Sequence, residues 1–135
     1  PDAQESRGLG DVYKRQIKSY FDEFYYVDNL NDKEIADLAK KTKIDIAINR
    51  SGHTDKARGN IFSYKPAPIQ INYLGYAGTL GQEGIDYIIS DKFVIPDEYK
   101  KAYSEKIIFL SKCFYPKDDS RVVGKKIFNR LVYFL

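Results

Sequence analysis

The feature that most restricts the fold of this chain is a series of short apolar runs spaced along its middle. They are Ile44 to Asn49 (IDIAIN), Ile69 to Tyr73 (IQINY), Ile85 to Ser90 (IDYIIS) and Lys106 to Leu110 (KIIFL). Each has the length of a strand, and each is followed by a stretch rich in glycine, proline or charge. Helical patterns fill several of the gaps. Asn31 or Asp32 can cap a helix with Ile35, Leu38 and Ala39 on one face, and it ends in Lys40, Lys41 and Lys43, charges that suit a helix C-terminus. Ala57 to Tyr64 reads as a short helix stopped by Pro66 and Pro68, which would also set the chain's path into the next strand. Pro96 opens another through Tyr103. Strands alternating with helices over short connections predict an α/β fold with a mainly parallel sheet.

The organised part is expected over residues 17–120, which hold no repeat or low-complexity tract, and Tyr25, Tyr26 and Val27 add strand formers near its start. Residues 1–16 show no periodicity and read as a non-native or disordered lead. Residues 121–135, ending in the apolar Phe128 to Leu135, read as a truncated continuation after a turn at Asp118, Asp119 and Ser120. With 135 residues the chain has room for one ordinary domain. Hydrophobic residues at 43% and charged residues at 30% fit a globular chain, no apolar run is long enough to cross a bilayer, and the expected compartment is the cytoplasm.

Charge and chemistry-bearing residues narrow the function classes. The net charge of +3 reflects Arg121, Lys125, Lys126 and Arg130 near the end, whereas residues 17–120 are close to balance. That lacks the basic stripe of a nucleic-acid surface, and the twelve tyrosines are scattered among acids. The lone Cys113 excludes an internal disulfide and is expected to pack as a small apolar side chain. With only His53 beside it, no metal site is expected. Asp45, Asp86 and Asp91 have no spacing that would pair two carboxylates. What remains are two loops at the carboxyl ends of strands, where open α/β sheets bind ligands. One carries His53, and imidazole is the side-chain type that changes charge near neutrality. The other, Leu74 to Gly81 (LGYAGTLG), has three glycines that permit backbone conformations and close approaches that a side chain would block. Arg58 is a further candidate for holding a phosphate or an acceptor.

Three ordered blocks give these loops a context: Ser51-Gly52-His53-Thr54 with Arg58, Lys65-Pro66-Ala67-Pro68-Ile69-Gln70, and Tyr73-Leu74-Gly75-Tyr76-Ala77-Gly78-Thr79. They resemble a signature of the O-linked N-acetylglucosamine transferase and SPINDLY family, and Ile85-Asp86-Tyr87 with Tyr103-Ser104-Glu105-Lys106 extend the likeness over about residues 22–117. The resemblance implies part of the first catalytic domain of a GT-B type glycosyltransferase, in which two Rossmann-like domains face a sugar-nucleotide cleft. It implies inverting, metal-independent transfer of N-acetylglucosamine from UDP-GlcNAc to Ser or Thr of proteins, with no further cofactor. It also implies a second catalytic domain and upstream helical repeats elsewhere in the chain, so that this piece alone would be inactive. His53, Thr54, Arg58, Leu74, Gly75, Tyr76, Ala77, Gly78 and Thr79 are then the expected substrate-contacting residues, with His53 the catalytic candidate. Some members carry tyrosine in place of His53, which implies a hydrogen-bonding role, and the family usually has proline at Ala77, which would stiffen the loop. Two rival readings stay open: a SPINDLY-like O-fucosyltransferase using GDP-fucose, and a non-enzymatic α/β binding module whose glycine loop is only a turn.

Overall fold

The computed structural model describes residues 13–54 and 57–117. The expected turn at Asp118 to Ser120 and the apolar segment Phe128 to Leu135 lie outside the described residues. A short exposed helix, α1, covers 13–18, where the sequence shows no helical period. The second helix, α2 (Asp32–Lys41), is the one the capping pattern predicts. The Asn31 side chain accepts from the Glu34 N–H at 2.9 Å, and Glu34 accepts in return from the Asn31 N–H at 2.7 Å. Two otherwise unpaired donors of the first turn are satisfied in this way. Asp32 and Glu34 lie at its N-terminal end and Lys40 and Lys41 at its C-terminal end, both favourable to the helix dipole.

Lys43, at φ 56°, turns the chain out of α2 into the sheet. Strands β1 (Ile46–Asn49), β2 (Ile69–Asn72), β3 (Tyr87–Ser90) and β4 (Lys106–Phe109) are all parallel and lie in the order β1-β2-β3-β4. The strand expected from each of the four apolar runs is present, one or two residues shorter than the run. The register pairs Ile46 with Ile69 and Asn49 with Asn72 across the first two strands, and Tyr87 with Lys106 across the last two.

The two expected crossover helices are present, shorter than their patterns. Gly59–Tyr64 and Asp97–Ala102 are 3₁₀ helices rather than α-helices. Six residues are too few to repay α-helix nucleation, and Lys65, at φ 49°, and the buried Pro66 close the first of them at once. Tyr25, Tyr26 and Val27 form no strand; Phe24 and Tyr26 instead make an edge-to-face ring pair at 5.2 Å on the surface. Strand-forming residues need a neighbouring strand to pair with, and none flanks them among the described residues. Cys113 is exposed rather than packed, because it follows β4 on a loop at the rim.

The apolar core consists of Ala36, Ala47, Ala67, Ile71, Leu80, Ile85, Ile88 and Ile95. Asn49, Gln70, Asn72, Ser90, Asp91 and Glu105 are buried with it. So many polar groups in a small core need partners, and where those partners lie locates the site. Asn49, Asn72 and Ser90 are the last residues of β1, β2 and β3. The sheet thus ends, on its carboxyl side, in a buried polar row.

Candidate functional site

Two of those terminal asparagines hold the loops that follow them. The Asn49 side-chain oxygen accepts from the N–H groups of Ser51 at 3.0 Å and Gly52 at 2.9 Å, which curls the His53 loop back over β1. Thr54 closes that turn, its hydroxyl donating to the Ser51 carbonyl at 2.7 Å. The Asn72 amide donates to the carbonyls of Gly78, at 3.0 Å, and Tyr76, at 3.4 Å. Short polar side chains satisfy local backbone in this way when a strand stops and no ladder partner remains.

The glycine loop is anchored at further points. The Tyr103 hydroxyl donates to the Ala77 carbonyl at 3.2 Å. Glu105, 4% exposed, accepts from the Thr79 hydroxyl at 2.6 Å and from the Leu80 N–H at 2.7 Å. Burial pushes the Glu105 carboxyl up, but the hydrogen bonds from Thr79, Leu80, its own N–H and Ser104 outweigh that and hold it below its ordinary value. Burial, with the nearby Glu105 and Tyr76, pushes the Tyr103 phenol up, so it stays a donor. Leu74 starts the loop at φ 89°, a conformation that side chains rarely adopt and that surrounding bonds must impose.

The anchoring has a direction. The carbonyls of Tyr76, Ala77, Gly78 and Leu80 all accept hydrogen bonds from the protein. Among the described residues, the N–H groups of Gly75, Tyr76, Ala77, Gly78 and Thr79 donate to no protein acceptor. The loop therefore turns its acceptors inward and keeps a run of donors uncommitted, the polarity that suits an anionic or hydroxyl-rich ligand.

The structure brings His53 to this loop. Its Nε2 lies 3.2 Å from the Leu80 carbonyl, and its ring meets the Tyr76 ring edge-to-face at 5.3 Å. A carbonyl can only accept, so Nε2 carries the hydrogen, and in the neutral form of the ring the lone pair is then on Nδ1. His53 itself is exposed and can reach a ligand. Arg58 is occupied elsewhere. Its guanidinium bonds Asp32 through Nε at 2.8 Å and Nη2 at 2.7 Å, and the carbonyls of Leu30 at 2.7 Å and Val27 at 3.3 Å. These contacts tie the first 3₁₀ segment to the start of α2. Two of the three aspartates hold backbone: Asp86 accepts from the Gln70 N–H, and Asp91 from Phe93, Val94 and Phe114.

Sequence reasoning missed Asn49, Asn72, Tyr103 and Glu105 as parts of the site. The available signal was a polar residue, Asn49, Asn72 or Ser90, at or next to the end of the first three apolar runs and a lone acid in front of the last one. No group of three or more His, Cys, Asp or Glu that could hold a metal ion occurs among the described residues, and no described helix is long and apolar enough to cross a membrane.

A four-stranded parallel sheet with short helical crossovers and its anchored loops at the carboxyl ends of the strands is a Rossmann-like α/β architecture, the kind from which GT-B domains are built. The comparisons place it: residues 6–133 match the model of glycosyl transferase family 41, and the chain belongs to that family. It is similar to the probable UDP-N-acetylglucosamine--peptide N-acetylglucosaminyltransferase SEC of Arabidopsis thaliana, 40% identical over 106 residues covering 78% of this chain and 11% of that protein. The UDP-N-acetylglucosamine--peptide N-acetylglucosaminyltransferase of Caenorhabditis elegans is 39% identical over 80 residues, 59% of this chain and 7% of its own length. A solved O-GlcNAc transferase mutant of Thermobaculum terrenum superposes with a TM-score of 0.72 at 28% identity, over 78% of this chain and 21% of that one. The chain thus spans about a tenth of the curated relatives' length, and its fold is that of a GT-B enzyme over the shared part.

Proposed function

We propose that this chain forms part of the first catalytic domain of a cytoplasmic protein O-glycosyltransferase that transfers N-acetylglucosamine from UDP-GlcNAc to Ser or Thr hydroxyls. The observation that carries the reading is the glycine loop: its carbonyls are bound inward and its Gly75 to Thr79 N–H groups are uncommitted, beside an exposed His53. The relatives named above support the donor and the acceptor. In the reaction the acceptor hydroxyl oxygen attacks the anomeric carbon as the bond to the UDP oxygen breaks; UDP leaves with the bonding electron pair, the hydroxyl proton passes to solvent, and the configuration inverts. The loop's donors hold the sugar side of the donor, and the Nδ1 lone pair of His53 accepts a hydrogen bond from a substrate hydroxyl or amide. Most uridine contacts belong to the second domain of the intact protein. Metal independence follows from the family resemblance.

The test offers the full-length enzyme UDP-GlcNAc or GDP-fucose with a Ser/Thr peptide and reads the peptide mass. An added N-acetylhexosamine supports the proposal. An added deoxyhexose assigns the fucosyl donor instead, and no addition from either donor returns the loop to a structural turn.

A further inference from the structure

Glu105 lies in front of β4, far in sequence from both loops, yet it is one of the few buried acids and both its oxygens are used. One oxygen accepts from the Leu80 N–H at 2.7 Å; the other accepts from the Thr79 hydroxyl at 2.6 Å and the Ser104 hydroxyl at 3.1 Å. Leu80 is itself buried, at 7% exposure, so its position cannot drift into solvent. Its carbonyl is the one that receives the His53 Nε2–H. A single residue, Leu80, therefore carries the carboxylate's hold on one side and the imidazole's on the other. No other hydrogen bond of the His53 ring occurs among the described residues.

We propose that Glu105 is a positioning residue for His53: by clamping Thr79 and Leu80 it fixes the carbonyl that selects the Nε2–H tautomer and keeps the Nδ1 lone pair free. The relay requires no movement of charge. Glu105 stays a carboxylate, and the Leu80 residue passes on orientation alone. Substituting the carboxylate by a group that cannot accept leaves a buried N–H without a partner, and the loop must then shift to reach water. The Leu80 carbonyl would shift with it. Either imidazole tautomer then becomes available, because with no fixed acceptor at Nε2 little separates the two.

This inference rests on the proposed role of His53 only for its effect on transfer, and the structural part is read separately. The full-length enzyme is labelled with ¹⁵N in its histidine rings and measured at about pH 8, where a free imidazole is neutral. The His53 signals are assigned by their loss in His53→Gln. The parent is expected to show one protonated and one bare ring nitrogen, the protonated one being Nε2. Glu105→Ala should move both signals toward a mixed-tautomer average, while Glu105→Gln, which still accepts from Leu80, should keep the parental pair. Thr79→Val removes one of the clamp's donors with little change in volume, and is expected to give an intermediate shift if Glu105→Ala does not fold. Parental ring signals in Glu105→Ala, or in Thr79→Val where Glu105→Ala does not fold, overturn the relay. In transfer, Glu105→Ala should lower kcat/KM about tenfold and Glu105→Gln should return it to within about threefold. Altered ring signals with parental kcat/KM keep the relay and remove His53 from the substrate, which is the failure of the proposed function and not of this inference.

Discussion

Gly75 packs its α-carbon against the carbonyl of Arg50, so closely that a Cβ would come well within 3.0 Å of that oxygen. This contact joins the glycine loop to the loop that carries His53, backbone to backbone. Gly75 has no positive φ, and the requirement for glycine here is space alone. The sequence suggests a different reason, namely clearance for a ligand. Gly75→Ala in the full-length enzyme is therefore expected to destabilise by about 1–3 kcal/mol, as overpacking does, because neither backbone can yield cheaply. A thermal melt measures it. A parental melting temperature would mean that the two loops separate readily, and Gly75 would again be a clean probe of donor approach.

Arg58 separates a structural from a ligand-binding cation. Its guanidinium reaches Asp32, Leu30 and Val27 at once, a fork that an ammonium cannot reproduce. Arg58→Lys should lower stability by about 1–2 kcal/mol, allowing for partial exposure of the pair, and should leave the donor KM unchanged. A rise in donor KM of about tenfold or more in a stably folded Arg58→Lys enzyme would restore the phosphate-binding reading.

Acid stability should depend on two buried carboxylates. In Glu105, hydrogen bonds from Thr79, Leu80, its own N–H and Ser104 overcome the upward push of burial. In Asp91 the N–H groups of Phe114 and Val94 lower the carboxyl, burial opposes them, and Phe93 adds to the lowering. Both folded carboxyls thus sit below their unfolded values of 4.5 and 3.8. The folded state binds fewer protons, so the stability they contribute is present above the unfolded values and is lost as pH falls through the lower folded ones. Melting temperature followed from pH 7 to pH 3 should fall less steeply below about pH 4.5 in Glu105→Gln and Asp91→Asn than in the parent. An unchanged acid slope in both variants would exclude these groups as the cause.

The parts of this fold legible in the sequence are those set by local pattern. The capped helix over Asp32 to Lys41 and the four strands follow from the cap at Asn31 and from runs such as Ile69 to Tyr73, where neighbouring residues determine the outcome. The 3₁₀ crossovers were hidden because helical residues do not by themselves reveal that a segment has room for only six. The site was half visible. His53 and the glycine loop stood out by residue type, but Glu105 acts on Thr79 and Leu80 across 26 and 25 positions, and nothing local marks such a contact. Arg58 shows the converse: residue type suggested a phosphate, and the fold supplied Asp32 instead.

The sharpest test of the site is His53, because its structural and functional contributions differ in size. The side chain is exposed, and its contacts are one hydrogen bond to the Leu80 carbonyl and one ring edge against Tyr76. Removing it leaves that carbonyl next to the solvent-exposed space the ring vacates, so the loss of stability should stay below about 1 kcal/mol. The Nδ1 lone pair has no such substitute. If it accepts from the donor sugar or the acceptor, His53→Ala should reduce kcat/KM by about tenfold or more, equivalent to roughly 1.4 kcal/mol of transition-state stabilisation. His53→Gln keeps an amide donor for Leu80 but places no aromatic nitrogen at the Nδ1 position, and should recover stability without recovering rate. Parental kcat/KM in a folded His53→Ala enzyme would leave the imidazole as a prop between two loops, and the donor contacts would then fall to the N–H groups of Gly75 to Thr79 alone.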